Sequence, residues 1–165
     1  MKKLLPCLIV FNLLLFAAQS LKAQTYQTAF GLKFGGYENG LSAKYFSTKD
    51  VSLEGVLGIR SHGIVFTGLY EINQSAFNLA ELKFYYGAGA HIGSIGNGSY
   101  QRIGTSSQDY NNGNSLLLGA DAVVGLEYVI PKSPIAVSLD LNPRLELASG
   151  PFFDLAPGLG IKYTL

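Results

Sequence analysis

The chain has 165 residues, of which 48% are hydrophobic, 12% aromatic and 14% charged, with a formal net charge of +1. That balance excludes a nucleic-acid binder working through a basic face, since no surplus of cations is available for phosphate. A single cysteine excludes a disulfide framework and thiol-pair chemistry.

In chain order, the first segment reads as an export signal. Lys2 and Lys3 give a positive start, Leu4 to Ala18 an apolar run, and Leu21-Lys22-Ala23 a cleavage site before Gln24. The competing reading, a membrane helix, needs a span of about 20 apolar residues, and Asn12 interrupts this shorter run. Cys7 lies inside the run without the small residues that precede a lipid attachment site, and it leaves with the signal. Residues 1–23 are therefore expected to be a signal peptide and residues 24–165 one domain. Without Lys2, Lys3 and Lys22 that domain carries nine basic against eleven acidic residues, a formal charge of −2.

Turn signals then divide the domain into eight predicted strands: 27–36, 40–47, 50–60, 64–72, 77–93, 115–130, 135–147 and 153–165. Ser47–Asp50, Asn73–Ser75 and Pro131–Pro134 are the short connections expected at one end. Tyr37–Asn39, Ser61–Gly63, Ser94–Asn114 and Ala148–Phe152 are the loops expected at the other. Short turns at the end that holds both termini, with longer loops opposite, are the habit of outer-membrane barrels. The expected fold is all-β, an eight-stranded antiparallel up-and-down transmembrane β-barrel.

A strand presents alternate residues to opposite faces, and here the charges sort by parity. Lys33, Lys44, Glu54, Arg60, Glu71, Lys83, His91, Asp121, Glu127, Asp140, Arg144 and Lys162 fall on one face. Phe30, Leu32, Phe34, Leu57, Ile59, Phe66, Tyr86, Leu126, Leu139 and Ile161 fall on the other. A soluble lipocalin-like barrel carrying an apolar ligand would turn the apolar face inward. Glycine decides for the reverse. Gly31, Gly35, Gly58, Gly87, Gly89, Gly93, Gly119, Gly125, Gly158 and Gly160 share the charged face, while Gly55 and Gly68 lie on the apolar one. Inside a narrow barrel glycine makes room for long neighbours, whereas on a solvent face it only weakens the strand. The charged face is therefore expected to line the lumen and to fill it with paired ions, because a lone buried charge costs several kcal/mol. Tyr37, Tyr45, Tyr70, Tyr128, Tyr163, Phe66, Phe77 and Phe153 fall near strand ends, where aromatic girdles sit.

Several segments resemble the small outer-membrane β-barrel proteins of Bacteroidota, an OmpA/OmpX-like family without an assigned activity. They are Phe84–Gly93, Leu118–Asp121 with Gly125–Tyr128, Pro134 with Ser138–Pro143, and Gly160–Leu165. The ending, with Gly160, Tyr163 and the hydrophobic terminus Leu165, is similar to the insertion signal read by the barrel assembly machinery. The usual final Phe is here Leu165. The resemblance implies a monomeric outer-membrane protein whose partners are membrane lipid and that machinery, and it carries over no catalytic residue.

Candidate chemistry is sparse. His62 and His91 are the two histidines, with Ser61 and Ser94 close by in sequence, and a membrane-embedded lipid A deacylase would need a Ser/His/acid set. Such a set would have to face lipid, whereas His91 takes the parity of Lys83 and Gly89. No ligand spacing marks a metal site. Gly87-Ala88-Gly89 lacks the third glycine of a dinucleotide fingerprint, because Ile92 stands there. No enzyme activity, cofactor or metal is expected. The long polar loop carries Tyr100, Arg102 and Tyr110, the residues best placed to contact an extracellular partner.

Overall fold

The computed structural model describes residues 26–35, 39–60, 63–95, 98–100, 108–110, 115–148 and 152–165. Among the described residues ten strands are present: β1 (Thr28–Gly35), β2 (Asn39–Phe46), β3 (Val51–Arg60), β4 (Gly63–Ala76), β5 (Leu79–Ile95), β6 (Gly98–Tyr100), β7 (Gln108–Tyr110), β8 (Ser115–Val129), β9 (Ile135–Glu146) and β10 (Phe152–Thr164). Eight of them close into an antiparallel barrel in the order β1-β10-β9-β8-β5-β4-β3-β2, and β6 pairs with β7 as a separate two-stranded sheet. The expected eight-stranded all-β barrel is the observed one. Among the described residues no helix is long and apolar enough to cross a membrane, which says nothing of a barrel. The expected signal peptide lies outside the described residues.

Alternation in the sequence becomes an inside and an outside. In β10, Ala156, Gly160 and Lys162 are buried while Leu155, Leu159 and Ile161 are exposed. In β2, Ser42, Lys44 and Phe46 are buried between exposed Leu41, Ala43 and Tyr45. The same inversion runs around the wall, with large apolar side chains outward and most charged ones inward. Closure joins the two ends of the chain. Ala29 stands opposite Thr164 and Gly35 opposite Gly158, and the Leu165 amide donates to the Thr28 carbonyl at 2.8 Å.

One connection departs from the expectation. Asn73-Gln74-Ser75 is not a turn, because β4 continues through it to Ala76. Asn73 is polar for a different reason: its side chain points inward and its Nδ2 donates to Ser52 Oγ at 2.8 Å. The chain reverses instead at Phe77 and Asn78, with φ of 52° and 58°. A two-residue hairpin matched to the strand twist requires this left-handed pair; asparagine tolerates it, whereas a bulky aromatic residue seldom adopts it. A register shift at Ser75/Ala76 accommodates the turn. In the expected long loop, the backbone of β6 and β7 pairs Tyr100 with Gln108 and Gly98 with Tyr110.

The β8–β9 ladder carries one gap. Asp121 pairs with Arg144 and Val124 with Leu141, but the two pairs between them are missing. Pro143 lies in that gap and has no N–H to give.

Glycine makes close packing possible at Gly125. A Cβ there would lie 2.7 Å from Tyr85 Cζ and 2.7 Å from Asp140 Cβ, so the Tyr85 ring occupies the space a side chain would need. A Cβ at Gly89 would run into the Gly68 carbonyl. Ala90 and Ala122 stand on the outward parity beside them. Gly125→Leu and Gly89→Leu are expected to lower unfolding stability by about 1–3 kcal/mol or to prevent closure. Ala90→Leu and Ala122→Leu should stay within about 0.5 kcal/mol of the parent. Urea unfolding of the folded proteins checks this, and equal tolerance at both pairs would reverse the assignment of inside and outside.

Candidate functional site

Eleven of the twelve charged or histidine side chains assigned to the inner face are buried: Lys33, Lys44, Glu54, Glu71, Lys83, His91, Asp121, Glu127, Asp140, Arg144 and Lys162. The twelfth, Arg60, ends β3, and its side chain lies outside the described residues. The buried groups form three tiers along the barrel.

The tier nearest the short turns is the densest. Lys44 Nζ lies 3.0 Å from Glu71 Oε2 and 3.4 Å from Glu127 Oε2. Lys162 Nζ lies 3.1 Å from Glu54 Oε1 and 3.6 Å from Glu127 Oε2. Hydroxyls complete the carboxylates: Ser42 Oγ donates to Glu54 at 2.5 Å and Ser52 Oγ to Glu71 at 3.0 Å. From the segment before β1, the Tyr26 hydroxyl donates to Glu127, and its ring meets Phe46 edge-on with centroids 5.1 Å apart. The Lys83 ammonium sits 4.3 Å from the Phe46 ring centroid and 5.4 Å from that of Tyr26, a cation held by aromatic faces.

In the middle tier Lys33 Nζ lies 3.1 Å from Asp140 Oδ2 and 3.9 Å from Glu54 Oε2. The Tyr85 hydroxyl donates to Asp140 Oδ2 at 2.6 Å, and Asn142 Nδ2 donates to Asp140 Oδ1 at 2.5 Å. Toward the loops, Arg144 Nε donates to Asp121 Oδ1 at 2.5 Å and Nη2 to Thr67 Oγ1 at 3.2 Å. His91 places Nδ1 2.8 Å from Asp121 Oδ2 and Nε2 3.1 Å from Glu146 Oε2. A cavity of about 30 Å³ remains, lined by Lys33, Thr67, Asn142, Arg144 and apolar neighbours. It has room for about one water molecule.

Three titratable members of this network escape the sequence reading, besides the hydroxyl and amide groups of Ser42, Ser52, Thr67 and Asn142. Glu146 shares the parity of Asp140 and Arg144 in β9, and Tyr85 shares that of Lys83 in β5, so both carried a usable signal. Tyr26 precedes the first strand and carried none. Of the loop residues, Tyr100 and Tyr110 belong to β6 and β7 with side chains outside the described set, and Arg102 lies outside it altogether. At the C-terminus Gly160 faces inward, Tyr163 is half-buried and Leu165 is exposed.

The arrangement ties strands together across the lumen. His91 points inward and Ser94 is exposed on the opposite parity, so the two do not form a nucleophile and base; Ser61 and His62 lie outside the described residues. Among the described residues no group of three or more His, Cys, Asp or Glu could hold a metal ion. The ions instead tie strands that are not neighbours in the wall: β2 to β8 through Lys44 and Glu127, and β10 to β3 through Lys162 and Glu54.

Removing one partner of such a pair strands the other charge in the interior. Lys162→Met is therefore expected to cost about 3–5 kcal/mol of unfolding stability. The double variant Lys162→Met/Glu54→Gln should recover a substantial part of it. Denaturant titration of the parent and both variants measures the difference.

No protein-family model matches the chain, and no curated protein matches it. Among solved structures, the barrel is similar to the N-terminal β-barrel domain of OprF from Pseudomonas aeruginosa, with a TM-score of 0.57 and 20% sequence identity. The match covers 82% of this chain and 95% of that domain. At that identity the likeness is one of fold: both are closed β-barrels of the same kind.

Proposed function

We propose that the chain is an exported protein whose residues 24–165 form a transmembrane barrel of the bacterial outer membrane, after removal of a signal peptide at Ala23. The observation that carries this reading is the inverted wall. Leu41, Ile59, Ile64, Phe66, Leu139 and Phe153 are each more than half exposed, whereas Lys44, Glu71 and Glu127 are fully buried. Soluble monomers rarely expose apolar patches beyond a few hundred Å². A hydrocarbon surround accepts this wall directly, and a closed barrel leaves no unpaired strand edge in it. Tyr45, Tyr70 and Tyr128 stand outward near the short-turn end, in keeping with an interfacial belt. The likeness to the OprF domain supports the same location, and the resemblance to small barrels of Bacteroidota supports the origin.

The lumen in this reading is plugged, and no solute passes through it. Its three tiers of ions cross the interior, and an aqueous channel requires a wider barrel, of the order of 16 strands. An apolar ligand of the lipocalin kind would meet Lys44, Lys162 and their carboxylates instead of a greasy pocket. The role is accordingly structural or adhesive: a rigid monomeric stave, inserted by the barrel assembly machinery through Gly160, Tyr163 and Leu165. It presents the loop segment around β6 and β7, with Tyr100, Arg102 and Tyr110, to an extracellular partner. Neither catalysis nor a cofactor enters this role.

Fractionation of cells expressing the full chain tests the location. An outer-membrane band whose gel mobility changes on boiling is the expected result. A soluble band with no heat shift would overturn the membrane assignment.

A further inference from the structure

His91 is held between two carboxylates, one at each ring nitrogen, at 2.8 Å from Asp121 and 3.1 Å from Glu146. A neutral imidazole carries one N–H, so it can serve one of these acceptors and must turn a bare lone pair on the other. The remaining atoms of both carboxylates are already committed. Asp121 Oδ1 accepts from Arg144 Nε, which marks Asp121 as the ionised partner of a guanidinium and leaves Oδ2 to accept from His91 Nδ1. Glu146 Oε1 accepts from the Leu118 amide at 2.9 Å, which leaves Oε2 facing Nε2. A hydrogen must therefore lie between Glu146 and Nε2.

The charge inside the barrel calls for the same proton. Among the described residues the buried set holds five lysine and arginine side chains against six carboxylates. One added proton balances them, and the contact between His91 and Glu146 is a place where the hydrogen-bond geometry calls for one. Thr67 stands opposite His91 in β4, Arg144 and Glu146 approach from β9, and Asp121 from β8. Two carboxylates against one arginine favour a cation on the ring. Gly119 lies beneath that ring, where a Cβ would come within 3.0 Å of Nε2.

We propose that His91 and Glu146 form a proton-binding site, with the proton carried by His91 as an imidazolium that latches β5 to β8 and β9 near the loop end of the lumen. With the proton in place both carboxylates have a donor. Without it Glu146 faces a lone pair inside a closed wall, and the latch opens. The ligand of the site is the proton itself, and it gives the loop end of the barrel a response to acidity.

Nitrogen-15 NMR of the histidine ring tests this in the purified, folded His62→Gln protein, where His91 is the lone histidine. At neutral pH, where a free imidazole is mostly neutral, both ring nitrogens of His91 should show the signature of an attached proton. Glu146→Gln removes the counter-charge, and one nitrogen should then lose its proton at the same pH. A single protonated nitrogen in the parent would place the proton on Glu146 and overturn the imidazolium. Two protonated nitrogens unaffected by Glu146→Gln would overturn the pairing. Should Glu146→Gln fail to fold, the parent spectrum decides between imidazolium and neutral ring.

Discussion

A charge inside a closed barrel has little water to fall back on, so most of those here find an opposite charge across the lumen. Taking an ion out of water costs several kcal/mol, and the attraction of a partner returns this only when distances are short and the leftover oxygens are hydrogen-bonded. Lys44 and Lys162 meet the demand by each touching two carboxylates, and Ser42 and Ser52 supply the extra donors. The diameter of the barrel, the register of its strands and the placing of its small residues all serve these contacts. A one-residue slip of any strand would send its charges to the outer face and its leucines to the inner one.

The joints between β5, β8 and β9 show how the wall and the interior are made together. Tyr85 lies over Gly125 and reaches Asp140; His91 lies over Gly119 and reaches Asp121 and Glu146. In both, a flat ring from one strand covers a glycine on the next and bonds to an acid beyond it. The glycine is what lets the ring lie down, and the acid is what holds it there. Lys83, whose ammonium rests on Phe46 and Tyr26, uses aromatic faces in place of an acid.

Much of this architecture is legible in the sequence because strand periodicity is a local property. Lys33 between Leu32 and Phe34, or Asp140 between Leu139 and Leu141, announces its side of the wall from three residues alone. Partnership is different. That Lys44 meets Glu127 rather than Glu54, its opposite number on β3, depends on how the sheet closes, which no single strand encodes. Asn73 misleads for a related reason: a polar run in a barrel strand can be an inward face instead of a turn, and the reversal at Phe77 is carried by a residue rarely found in that conformation. Tyr26 is invisible to periodicity because it belongs to no strand.

The topology also orders events in time. Every pairing in the barrel except that of β1 with β10 joins strands consecutive around the wall and in the chain, the β6–β7 ribbon lying between β5 and β8. Closing β1 on β10 brings together residues as far apart as Ala29 and Thr164, and a loop of that length carries the largest entropic cost in the assembly. The contacts of Lys162 with Glu54 and of Lys33 with Asp140 both cross that seam. Before it shuts, those ions stand in an open, hydrated trough. Dehydration of the interior is thus a consequence of the final pairing and not a prelude to it: the charges whose partners lie across the seam give up their water as the ring is completed.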